Sequence, residues 1–132
     1  MQTIVTLLCA VGLYVSVFML LKSARASRGQ LTEPSVVETS RARIFGAPNA
    51  AIGIAYYVVL AAAVWLGHGR WVALAVSAAV LLAAATSLYL AYSLLFVTRR
   101  ACPYCWTGHV VNWLLALTCL WAQVHGLLFS VP

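Results

Sequence analysis

The sequence is short of charge. Only 8% of its 132 residues are Asp, Glu, Lys or Arg, against about a quarter in a soluble domain, and this excludes an ordinary water-soluble fold. Acidic residues are nearly missing: two glutamates stand against eight Lys and Arg, for a formal charge of +6. The basic residues form no stripe. They sit in short turns beside apolar runs, which argues against nucleic-acid binding and for membrane-flanking charges. No positive residue precedes the first apolar run, so Met1-Gln2-Thr3 lacks the n-region of a secretory signal. The run is also too long for an h-region and reads as a retained helix. The length suffices for one compact domain and not for two ordinary ones.

What the chain does have is apolar sequence, 64% of its residues, with a mean hydropathy of +0.98. The apolar runs cover residues 4–21, 48–66, 71–97 and 103–129. Each is near or beyond the ~20 residues that a membrane-spanning helix needs, and the third is long enough to require tilt. Gly67-His68-Gly69-Arg70 makes a tight turn between antiparallel neighbours, with His68 as a solvated turn residue. The expectation is an all-α polytopic membrane protein, an antiparallel bundle of four transmembrane helices. Residues 23–47 form the only long polar segment, with Val36, Val37, Ile44 and Phe45 keeping an apolar side. Arg41 and Arg43 would snorkel to headgroups, so the segment reads as an interfacial loop capping one end of the bundle. A solvated connector is the alternative that the pattern leaves open.

In the third run Ala75, Ala79, Ala83, Ser87 and Ala91 recur every four residues, a small ridge on which another helix would pack closely. Tyr89, Tyr92 and Phe96 are read as an interfacial belt, with a ligand wall as the alternative. Cys9 lies deep in the first run and reads as a small buried hydrophobe. Cys119 stands fourteen residues past Cys105, about 21 Å along a helix axis, and is read as structural.

Chemistry concentrates at Arg99–Asn112, where Cys102-Pro103-Tyr104-Cys105 marks the start of the fourth run. Proline suits a first helical position, having no N–H to leave unbonded there. The free N–H groups of a helix start, with Arg99 and Arg100, favour the thiolate, the form that exchanges disulfides. At helical spacing Cys102, Cys105, His109 and Asn112 share a face. Antiparallel topology brings the capping loop and the Arg99 turn to one end, so Cys102, Cys105, Thr39 and Asn49 would gather there. An amide such as Asn49 inside hydrocarbon must find a partner. The plainer reading has it bond a neighbouring helix or cap its own.

Two chemical readings fit this face. In one, the two cysteines cycle between dithiol and disulfide and pass electrons to a lipid-soluble quinone lying against Cys105. His109 or Asn49 would then hydrogen-bond its carbonyls, and Phe45 with nearby loop residues would cover it. In the other, Cys102, Cys105 and His109 bind zinc or Cu(I), with a fourth ligand missing. An incidental pair of thiols is the third and weakest reading.

These residues resemble the vitamin K epoxide reductase family. The motifs that carry the resemblance are Cys102-Pro103-Tyr104-Cys105 at the start of the last helix, Asn112 seven residues on, and Ser87-Leu88-Tyr89-Leu90-Ala91-Tyr92 before it. Earlier, Ser35–Ser40 leads into Ile44-Phe45-Gly46-Ala47-Pro48-Asn49 and then Gly53. The resemblance implies a membrane thiol–quinone oxidoreductase using a quinone of the ubiquinone or menaquinone type. It implies Cys105 as the quinone-facing thiol, Cys102 as the one open to a thiol partner, and Asn49 as a hydrogen-bond donor to the quinone. His109 falls where animal members have a tyrosine with the same task, and Thr39 where the family has Ser or Thr in its capping segment.

Most members carry a further cysteine pair in the loop after the first helix, whereas residues 23–47 contain no cysteine and Glu33 stands near the second expected position. A thioredoxin-like or other thiol protein, or a small thiol, would then act directly on Cys102. The alternatives are a small metal-handling membrane protein and a non-catalytic member serving as a membrane subunit. Lys22, Arg25, Arg28, Arg41, Arg43, Arg99 and Arg100 lie at the cysteine end, against Arg70 at the other. The positive-inside rule puts that end in the cytoplasm, while the resemblance implies the oxidising side. The sequence leaves both sides open.

Overall fold

Hydrocarbon offers no hydrogen bonds to the backbone, so an apolar run is stable there only when its N–H and C=O groups bond within the segment. The computed structural model describes residues 1–32, 35–44, 46–100 and 102–126. It is an all-helical bundle of four helices: α1 (Gln2–Ser27), α2 (Asn49–Leu66), α3 (Arg70–Tyr92) and α4 (Pro103–Val124). A π-helical segment, Ser93–Thr98, prolongs α3 and ends at Arg99 in the left-handed region, φ 50°. α1, α2 and the prolonged α3 are long and apolar enough to cross a membrane. The 22 residues of α4 reach about 33 Å at 1.5 Å per residue, also a membrane thickness. The protein is an integral membrane protein.

The helices run antiparallel in sequence order. The end of α1, the start of α2, the end of α3 and the start of α4 therefore share one end of the bundle. Between α1 and α2 the chain makes two short 3₁₀ turns, Val36–Glu38 and Ser40–Ala42, then a two-residue antiparallel ribbon of β1 (Arg43–Ile44) and β2 (Ala47–Pro48). The first turn carries a capping box: Ser35 receives the backbone of Glu38, while the Glu38 carboxylate accepts the Ser35 N–H at 2.7 Å. Val37 is buried beneath this segment, so the loop covers the end of the bundle.

α1 packs against both α2 and α4, and α3 packs against α4. Close approach of α1 and α2 depends on two glycines. The Tyr57 ring fills the place that a Cβ on residue 12 would take, and a Cβ on residue 53 would stand 2.7 Å from Ser16 Oγ. Such small-residue seams let apolar helices associate where lipid provides no hydrophobic drive. Hydrogen bonds fasten the opposite end: Trp65 Nε1 donates to Thr6 Oγ1 (2.8 Å), and Ser77 Oγ donates to Gln123 Oε1 (2.6 Å). Cys9 and Cys119 are free and buried in the core with Val5, Val80 and Leu115.

The small ridge of α3 is not one packing face. A four-residue step on a helix of 3.6 residues per turn advances about 40°, so the ridge winds round the helix. Ala75 is exposed, Ala79 and Ala83 line a cavity, and only Ser87 and Ala91 are buried. Tyr89, Tyr92 and Phe96 are 58%, 58% and 60% exposed, an outward belt.

α2 and α3 differ from the other neighbours. They touch little beyond their connecting turn, and the space between them opens into the bundle.

Candidate functional site

The site begins with the cap of α4. Cys102 is its N-cap residue in extended conformation, Pro103 holds the first helical position, and the Cys102 sulfur accepts the Cys105 N–H at 3.2 Å. That bond satisfies one of the orphan donors of the helix start and places partial positive charge at the sulfur. Cys102 and Cys105 form a disulfide, with Cα atoms 5.2 Å apart. Between them, Tyr104 stacks on Phe18 of α1, ring centroids 4.1 Å apart at 22°, which pins the cysteine turn to the first helix.

Below the disulfide lies a cavity of about 650 Å³, within the range of small-molecule sites. Its walls are mostly apolar. Cys105, His109 and Asn112 enter from α4, Asn49 from the first turn of α2, and Val37 and Thr39 from the capping loop. Ile52 of α2 and Leu82 of α3 line the cavity and are also exposed on the outer surface. The cavity thus opens sideways between α2 and α3, towards lipid.

The polar groups within it are held in different ways. Tyr57 Oη donates to Asn112 Oδ1 (2.8 Å), and Asn112 Nδ2 donates to Ser87 Oγ (2.7 Å), a partly buried chain joining α2, α4 and α3. Asn112 is thereby a structural clasp. His109 is 9% exposed, with Trp106 edge-on at 6.2 Å and Trp113 at 6.5 Å. Among the described residues no hydrogen bond uses its ring nitrogens. Thr39 donates to the Val36 carbonyl at 2.7 Å, so its hydroxyl fastens the capping turn. Tyr56 lines the cavity, and its hydroxyl is buried with no partner.

The structure brings Cys105, Asn49, His109 and Thr39 to one cavity. Cys102 is bonded to Cys105 but does not line the cavity, and it is only 7% exposed. Phe45 and Glu33 lie outside the described residues. Sequence reasoning missed Tyr56, Tyr57, Ser87 and Ser93 as members of the site. A hydroxyl at helical spacing with Asn49 was the available signal for Tyr56 and Tyr57. Among the described residues no three His, Cys, Asp or Glu side chains converge as a metal ion requires.

A disulfide beside a mostly apolar cavity is suited to exchanging electrons with a flat, apolar molecule. The imidazole and the amide provide a donor set for oxygen atoms that gain charge on reduction. No curated protein sequence matches the chain. The sequence matches the Vitamin K epoxide reductase family over residues 3–120.

Proposed function

The chain belongs to the vitamin K epoxide reductase family, and from that premise we propose that it oxidises dithiols and passes their electrons to a lipid quinone. The observation that carries the reading is the opening of Cys105 and Asn49, from two different helices, on one lipid-accessible cavity. A quinone fits the donor set found there: an apolar ring in an apolar cavity, with an amide and an imidazole for its two carbonyl oxygens. The quinone is the substrate, of ubiquinone or menaquinone type.

The chemistry balances in two exchanges. A partner thiolate attacks Cys102, the Cys102–Cys105 bond breaks, and a mixed disulfide forms. The partner's second thiol then resolves it, leaving the partner oxidised and both cysteines reduced. Cys105 next delivers the electron pair to the quinone, the sulfur–sulfur bond re-forms, and the two thiol protons end on the two quinone oxygens. The N–H that Cys102 Sγ accepts favours negative charge on that sulfur, the form that closes the disulfide. Asn49 and His109 hold the oxygens, and Thr39 belongs to the cover that keeps water out.

The segment between α1 and α2 contains no cysteine, so no internal relay precedes Cys102. A thioredoxin-like protein, another thiol protein or a small thiol reaches Cys102 directly. Because Cys102 is buried in the disulfide form, the groups that cover it must yield when the partner arrives. Purified protein given a dithiol and a soluble quinone should turn over, and Cys105→Ala should abolish turnover. Activity that survives that change would exclude the assignment.

A further inference from the structure

Two hydroxyls of the cavity wall are left over by this reading, those of Tyr56 on α2 and Ser93 at the end of α3. Ser93 lines the cavity from α3, is 2% exposed, and its Oγ is buried with no hydrogen-bond partner. A helical hydroxyl in an apolar setting ordinarily bonds back to the carbonyl four residues earlier. Thr6, Thr86 and Thr107 of this chain do so, at 2.8–2.9 Å. Ser93 does not. Its own N–H reaches the carbonyls of both Tyr89 and Leu90, and the helix passes into its π segment at this residue. Single π turns recur at functional sites.

An unpaired buried hydroxyl is costly and calls for a partner that arrives with the ligand. Asn49 and His109 already serve the two ring carbonyls, and they do so from α2 and α4. Tyr56 adds its hydroxyl from α2, on the side of Asn49, whereas Ser93 stands apart from both in the π segment that prolongs α3, with Leu90 and Leu94 lining the cavity beside it. We propose that the unpartnered Ser93 hydroxyl in the cavity wall selects quinones whose ring carries alkoxy oxygens, so that the substrate class is a dimethoxybenzoquinone and not a naphthoquinone. The alkoxy oxygen accepts from Ser93 Oγ. The all-carbon second ring of a naphthoquinone would present C–H to the same hydroxyl and leave it desolvated and unpaired, the situation in which a site rejects an analogue most strongly.

This inference rests on the quinone reading, and its test separates the two. A dimethoxy-methyl-benzoquinone and a methyl-naphthoquinone bearing the same short alkyl tail are titrated into the full chain in detergent micelles. With the protein held as its disulfide no turnover occurs, and binding is read by quenching of tryptophan fluorescence. The wild type should bind the benzoquinone about tenfold or more tightly. Ser93→Ala should bring the two to near parity by weakening the benzoquinone alone, and Ser93→Thr, which keeps a hydroxyl, should retain the preference. The ratio of kcat/KM values in dithiol-driven turnover should move with the binding ratio. Parity in the wild type, or a preference unchanged in Ser93→Ala, overturns the role of Ser93 while the quinone reading stands. Failure of both rings to bind and to turn over brings down the quinone reading itself.

Discussion

Tyr57 on α2 donates its hydroxyl to the amide oxygen of Asn112 on α4, 2.8 Å away, and the same amide donates to Ser87 on α3. Three helices are thus tied through one side chain inside an otherwise apolar bundle. Tyr57→Phe removes one bond and should cost about 1 kcal/mol, a Tm decrease of roughly 2–8 °C. Asn112→Ala should cost more, because it leaves two hydroxyls buried without a partner. Thermal unfolding in detergent micelles ranks the two. If Asn112→Ala melts like the wild type, the clasp holds nothing together.

The seam beneath that clasp offers a second, sterically opposite test. The Tyr57 ring occupies the space above Gly12, so Gly12→Val should overpack it and destabilise by about 1–3 kcal/mol. The loss should be largely absent in a Tyr57→Ala background, where the side chain has room. Contacting residues couple strongly in such cycles. Additive losses would mean that the two residues do not meet across α1 and α2.

How much of this was open to a reader of the sequence depends on the range of the interaction. Helix number, antiparallel order and the helix start at Pro103 follow from run length, short turns and one proline, all local features. So does the shared face of Cys105 and His109, four residues apart. The clasp does not follow, because Tyr57 and Asn112 are 55 positions apart and a tyrosine in an apolar run reads as a hydrophobe. The ridge from Ala75 to Ala91 misled because a period of four resembles a helical face over two steps and has wound well round the helix after four. Ser93 carried no periodic signal at all. Its place in the cavity wall coincides with a local change from α to π geometry, which the residues Ser93–Thr98 do not announce.

The donor set makes a kinetic prediction that divides the two half-reactions. If Asn49 and His109 meet the quinone and not the thiol partner, as proposed, Asn49→Ala and His109→Phe should each lower kcat/KM for the quinone by about 10²-fold. Reduction of the Cys102–Cys105 disulfide by a dithiol, followed without quinone as the appearance of free thiols, should keep its wild-type rate. Equal slowing of both halves would assign these residues to the general architecture of the α4 start and remove them from quinone binding.

The sideways opening between α2 and α3 predicts an entry path that depends on the substrate's tail. Ala83 lines the cavity with Leu82 and Thr86 on the side where the two helices part. A large ring there should obstruct the passage of a long isoprenoid chain without touching the disulfide. In Ala83→Trp the KM for a long-tailed quinone should therefore rise about tenfold or more, the scale of a strong steric conflict of 1–3 kcal/mol, while kcat stays near the wild-type value. A tail-less quinone, which needs no groove for a chain, should be affected far less, and Ala83→Leu should fall between the wild type and the tryptophan variant. Steady-state kinetics with the two quinones decides it. If long-tailed and tail-less substrates suffer alike, the obstruction lies at the ring site, and the gap between α2 and α3 is not the way in.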